Sequence, residues 1–387
     1  MAPRRAAFFF FVETAIGWNA LLPIIMGLPQ RTDLAQSIIA VSCPVTVDYE
    51  SWRFTSKASQ NVFRGLYAPI DKAMALPWDI FVVSMWSQFA NLSPHQHIVS
   101  VPHGSGFGNG AYTLEMYARS TLYCGLSPAE AGYIADQTGA PPPADRFIAT
   151  GTPRNDRFAA FLAAPMAARA EKKNQLKENL GLARDKPLLL VTSHWTPDGI
   201  LRTFGGGILD ALAPLAGSCE IVQISHPNIW DDLQYDTWDP NTERPGQEGF
   251  SSAWIRAALD ARHAAGKAKV FYDLESPELL MAADLLIGDY SSIVIEFSMF
   301  DRPILLYDVP ERFFDSNVHD LYVGASLCFR RADDVERLAR YALSNPSHQR
   351  DGRRRLSAHF NYNIGGATDA IVDVTAGLPV GKPPESD

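Results

Sequence analysis

ADLLIGDYSSIVIEFSMFDRP, residues 283–303, opens on an apolar run that reads as a buried strand, breaks at Asp289 into Tyr-Ser-Ser, and resumes as an apolar helical pattern. A run with polar residues only at its carboxyl end, leading into a helix, is the βα unit of a parallel sheet. Ser291 and Ser292 then fall at the cap and first turn of the helix, where hydroxyls and backbone N–H groups together hold a phosphate. The alternative is that they only cap the helix. Glu296, further along the same helix, reaches a ribose or base edge if its face is open, and is otherwise a surface carboxylate.

The same pattern recurs on both sides of this stretch. PLLLVTSH, CEIVQISHP, KVFYD and RPILLYD each read as a buried strand, and in the first half the candidate strands are 8–12, 38–41, 80–84, 97–101 and 147–149. Ligands of open parallel sheets bind beyond the carboxyl ends of the strands, so the residues there form the candidate site. That rule selects Ser193 and His194, Ser225 and His226, Asp273, Asp289 with Ser291 and Ser292, and Asp308 from the second half. From the first half it selects Glu13, His103 with Gly104, and Arg154, Asn155 and Asp156. His103, in VPHGSGFGNG, stands directly after a strand and before a flexible glycine loop. It is a general base or a structural imidazole. His226 precedes Pro227, which presents the ring at the sheet edge for a donor phosphate or for a neighbouring loop carbonyl.

At 387 residues the chain suits two α/β domains. Ala, Lys, Glu and Leu dominate 160–184, so the boundary is expected near 170–185, with one domain over 1–170 and the other over 185–387, the latter ending in a helical tail. A formal charge of -9 argues against a nucleic-acid partner. Cys43, Cys124, Cys219 and Cys328 lie far apart and read as reduced thiols. With no Asp-x-Asp and no Cys/His cluster, neither a metal nor a cofactor is expected. The basic, apolar start is broken by Glu13, Asn19 and Pro23 and reads as a strand followed by an amphipathic helix, not as an export signal. The acidic, aromatic stretch 230–250 reads as a long loop. Peripheral contact with the inner face of the cell membrane, through that first helix or the arginine run 350–355, is an expectation to test.

His103-Gly104, GTPRND at 151–156, SHP at 225–227 and ADLLIGDYSSIVIEF at 283–297, in that order and spacing, resemble the CDP-glycerol glycerophosphotransferases of teichoic acid and capsule synthesis. ETAIGWN near the start corresponds to the Glu-containing strand end of that family. The resemblance implies a GT-B type α/β fold, two Rossmann-like domains facing across a cleft, with acceptor chemistry on the first and nucleotide on the second. It implies that His103 is the base, that His226, Ser291 and Ser292 hold the phosphates of a CDP-linked donor, and that a glycan or lipid-linked hydroxyl accepts glycerol phosphate in the cytoplasm as CMP leaves. Two departures stand out: Ser193-His194-Trp195-Thr196 where the family has Thr-Trp-Arg, and Ser105-Gly106-Phe107 where it has Thr-Pro. They keep open a different CDP-polyol, or a nucleotide-sugar glycosyltransferase of capsule or lipopolysaccharide synthesis on the same scaffold. A non-catalytic nucleotide-binding protein is the third reading.

Overall fold

The computed structural model describes residues 6–11, 15–31, 38–43, 66–69, 78–84, 97–106, 110–230, 252–272, 277–309 and 316–379. Glu13, Asp273 and nearly all of the 230–250 stretch lie outside the described residues. Contacts divide the chain into two compact units, Met1–Ala159 with His359–Asp387, and Ala160–Ala358. The boundary thus falls ahead of the expected 170–185, and the last helix, expected as a tail of the second domain, belongs to the first unit.

The first unit is built on a seven-stranded sheet of β1 (Ala7–Phe11), β2 (Ile38–Cys43), β3 (Leu66–Pro69), β4 (Ile80–Val83), β5 (His97–Ser100), β6 (Leu122–Gly125) and β7 (Phe147–Ala149). Their order is β3-β2-β1-β4-β5-β6-β7, and every pairing is parallel. Strand β3 and strand β6 are not among the strands read from the sequence. Helix Ala15–Gly27 is not the amphipathic helix the sequence suggested. Asn19 is its one polar residue, and Trp18, Leu21, Ile24 and Ile25 are buried with Phe8, Phe10, Ile80 and Val82 of the sheet and Ile371 and Val372 of helix Ala367–Gly377. Apolar faces on two sides match a helix covered on two sides.

The second unit carries β8 (Leu188–Ser193), β9 (Glu220–Ser225), β10 (Lys269–Val270), β11 (Leu285–Gly288), β12 (Ile304–Tyr307) and β13 (Leu327–Phe329) in the order β10-β9-β8-β11-β12-β13, again all parallel. Strand β8 is buried along its whole length, as a strand covered on both faces must be. Of the arginine run, Arg350, Arg354 and Arg355 are exposed and Arg353 is not. Arg353 is buried and donates to the carboxylate of Asp301 and the carbonyl of Pro346, while Arg350 and Arg354 pair with the same carboxylate from outside. Among the described residues no helix is long and apolar enough to cross a membrane.

Strand β6 runs into a helix, Pro128–Thr138, whose first turn buries Glu130. Its carboxylate accepts the Leu126 N–H at 2.7 Å and the Tyr123 hydroxyl at 2.8 Å, yet burial still pushes the group up to about 7. A pKa raised on folding contributes stability that is complete below the ordinary value of 4.5 and is lost as pH rises through about 7. Urea unfolding of the wild type should therefore show stability falling by about 3 kcal/mol between pH 5 and 8. Glu130→Gln should flatten that slope, and an identical slope in the variant would remove Glu130 as its source.

Candidate active site

In each sheet the strand order reverses next to its first strand, between β1 and β4 and between β8 and β11. The carboxyl ends of these strands are where open parallel sheets bind ligands.

In the second unit Asp289 follows β11 at that point and is fully buried. Its two oxygens accept the His194 N–H at 3.0 and 2.9 Å, and one also accepts the Ile200 N–H at 3.0 Å. The carboxylate holds the loop after β8 against the end of β11. Ser193 works on the same loop, with its hydroxyl accepting the Leu201 N–H at 3.1 Å and donating to the His194 carbonyl at 2.9 Å. Ser225 is equally buried and accepts from the Gln223 side chain at 2.8 Å. Asp289, Ser193 and Ser225 were expected at the donor phosphates; their polar atoms are instead committed to the framework beneath.

What the loop presents is His194. Its Nδ1 accepts the Thr196 N–H at 3.3 Å and lies 3.0 Å from the Thr196 hydroxyl, which places the ring proton on Nε2. The His226 ring, after β9, stands 5.5 Å from that of His194, and Trp195 flanks both. Ser291 occupies the cap position of helix Ser292–Ser298 with extended backbone, but its hydroxyl donates to the Asp289 carbonyl at 3.3 Å and makes no capping bond. Ser291 and Ser292 are both half-buried. Glu296 is fully buried, so its face is not the open one a ribose contact requires, and it is not a surface carboxylate either.

Behind the serine turn lies a network that strand-end position alone did not reveal. Asp308, at the end of β12, accepts from the Tyr290 hydroxyl at 2.7 Å, Arg330 at 3.0 Å and His319 at 3.3 Å. Burial pushes its carboxyl up, and these three partners outweigh it and hold the group below its ordinary range. Tyr322 adds a bond to the Ser291 carbonyl at 3.3 Å.

In the first unit His103 follows β5, half-buried, with its Nδ1 2.9 Å from the Ser84 carbonyl at the end of β4. A carbonyl only accepts, so Nδ1 carries the proton and the lone pair lies on Nε2. Burial holds the imidazole below its ordinary range, the Ser84 bond opposes this, and the Arg154 guanidinium adds to it. The ring is neutral at physiological pH. Gly104 follows, half-buried. The turn 151–156 does not line up as three ligand contacts. Arg154 is buried beside His103, and Asn155 donates to the Ser105 hydroxyl at 2.9 Å. Asp156 accepts the N–H groups of Gly365, Ala367 and Thr368 at 2.6, 3.2 and 2.8 Å. It caps the helix Ala367–Gly377, where a carboxylate meets otherwise unsatisfied donors, and is withdrawn as an acceptor-contacting residue.

Two doubly wound parallel sheets with these loops at their carboxyl ends define an α/β fold of the GT-B type. The structure of the wall teichoic acid polymerase TagF aligns with 96% of this chain and 88% of its own, at 15% identity and a TM-score of 0.64. UDP-GlcNAc 2-epimerase from Neisseria meningitidis, bound to UDP-GlcNAc, aligns over 97% and 100% at 13% identity and a TM-score of 0.62. At such identities the likeness is one of fold. No curated protein is significantly similar to the chain in sequence. The model of the CDP-Glycerol:Poly(glycerophosphate) glycerophosphotransferase family matches residues 255–375. That match contains the last of the four motifs, 283–297, and there bears out the resemblance and the reading of the chain as a glycerophosphotransferase-like enzyme.

Asp289→Asn replaces an acceptor of three N–H contacts by an amide that turns a donor toward one of them. The variant should lose about 2 kcal/mol in urea unfolding, the cost of a buried donor left unsatisfied. Wild-type stability in that variant would show that the loop after β8 is held by other means.

Proposed function

We propose that the chain transfers glycerol phosphate, or a related polyol phosphate, from a CDP-linked donor to a hydroxyl of a cell-surface glycan or lipid-linked acceptor, releasing CMP. The observation that carries this reading is that the family match over 255–375 contains the β11 strand end and the Ser291–Ser292 turn, with the Ser291 hydroxyl not used as a cap. His226, Ser291 and Ser292 hold the donor phosphates, and Nε2–H of His194 joins them as a donor. His103 Nε2 takes the proton of the acceptor hydroxyl, whose oxygen bonds to the β-phosphorus of the donor while the bond from that phosphorus to the CMP oxygen breaks. Positioning and charge stabilisation supply most of the rate. Burial, with a smaller contribution from Arg154, favours the neutral form of His103, the form that accepts a proton. The first unit serves the acceptor and the base, the second the nucleotide. The reaction is placed in the cytoplasm, at the inner face of the membrane that carries the acceptor.

One departure favours testing a second donor class. His194-Trp195-Thr196 supplies no arginine at the end of β8, so a nucleotide sugar is the competing donor. Purified protein is to be incubated with CDP-glycerol, CDP-ribitol or UDP- and CMP-sugars, with a membrane or glycan acceptor in each case. CMP release with a CDP-polyol alone is the expected result; turnover with a nucleotide sugar alone would replace this reading by the glycosyltransferase one. His103→Ala should lower turnover by about 10²–10⁴-fold with donor binding retained. Because burial lowers the imidazole pKa, the acid limb of kcat/KM should fall below the ordinary 6.5. Unchanged turnover in His103→Ala would remove the imidazole from the proton transfer.

A further inference from the structure

The loop that carries His103 is rich in the residue least able to hold a shape. Gly104 and Gly106 stand on either side of Ser105. The imidazole itself is tied to the Ser84 carbonyl, and the next tie along the loop is Ser105. Its side chain is fully buried, and its hydroxyl takes a hydrogen bond from Asn155.

Asn155 is 1% exposed and spends both amide protons, one on the Ser105 hydroxyl and one on Asn361 Oδ1 at 3.2 Å. Asn361 lies in the segment by which the chain returns to this unit. That segment is fastened on both sides of Asn361. The Ser127 hydroxyl donates to the His359 carbonyl at 2.6 Å, Asn363 donates to the Thr150 carbonyl at 3.0 Å, and Asp156 holds Gly365. Gly151 lets it approach: with φ of +85°, any Cβ there would lie 2.3 Å from the Tyr362 carbonyl. Asn155 therefore bridges a firmly held segment and the glycine-flanked Ser105.

We infer that Asn155 is a positioning residue, which acts through Ser105 to fix the loop holding His103 and does not itself contact substrate. The inference rests on His103 being the base, and it deepens that reading by reassigning the asparagine of GTPRND from acceptor contact to support. A misplacement of about 1 Å at a reacting group costs on the order of a hundredfold in rate, so one buried amide acting through one hydroxyl is sufficient to matter.

The test is a double-mutant cycle on the full chain with Asn155→Ala, Ser105→Ala and the pair. Each single change is expected to lower kcat ten- to hundredfold with KM for CDP-glycerol changed less than about twofold, and the pair to be no worse than the worse single. The second readout needs no substrate. The imidazole resonance of His103, identified by its loss in His103→Ala, is titrated by NMR in each variant, and a loosened, more hydrated ring should titrate closer to 6.5 than in the wild type. Additive kinetic losses, or an unchanged titration in both single variants, would overturn the inference. Should His103→Ala remain fully active, the base assignment fails; a shifted titration in Ser105→Ala then still establishes the positioning, and an unshifted one ends it. Ser105→Ala removes a single oxygen and guards against a folding defect in Asn155→Ala.

Discussion

A single buried carboxylate organises the point on which the second unit turns. Where its strand order reverses, two loops leave adjacent strands β8 and β11 in opposite directions, and their backbone donors have no ladder partners. Asp289 supplies the acceptors, binding His194 and Ile200. From that bond follow the path of the loop after β8, the place of His194 beside His226, and the extended entry of Ser291 into its helix. Ser193 repeats the device one residue earlier, on Leu201. The residues nearest the strand ends thus serve as framework, and the surface offered to a ligand is one residue further out.

The first unit solves the same problem with a different chemistry. A glycine-rich loop gives access but surrenders order, so its order is imported from elsewhere in the chain. Ser84 sets the tautomer of His103, burial and to a lesser degree Arg154 favour the neutral ring, and the bonds of Asn155 and Asp156 reach residues more than two hundred positions away. Return of the chain after the second unit is therefore part of how the first unit is made.

Helix Ala15–Gly27 and one residue of the arginine run, Arg353, are taken up inside the fold. Helix Ala15–Gly27 is apolar because a sheet lies on one side and helix Ala367–Gly377 on the other. Arg353 is interior because Asp301, at φ of 54°, offers its carboxylate to three arginines at once. Apolar runs and charge runs carry no label for the partner that will cover them.

Sequence alone determined the βα alternation, the parallel sheets and the strand-end positions of His103, His194, His226 and the Ser291–Ser292 turn, because burial on two faces and a following helix leave a local pattern of apolar runs ending in polar residues. It also marked the family resemblance through motif order. Which of those polar residues face outward was decided only by tertiary structure. Ser193 and Ser225 are taken up by donors eight and two residues away. Asp289 and Asp156 look the same as their neighbours in a string of letters, yet each meets backbone donors supplied by distant chain. The same holds for Asp308 with His319 and Arg330, and for Asn155 with Asn361. A hydrogen bond depends on where two groups meet in space, and for pairs far apart in the chain that meeting is a property of the completed fold and not of the residues taken singly.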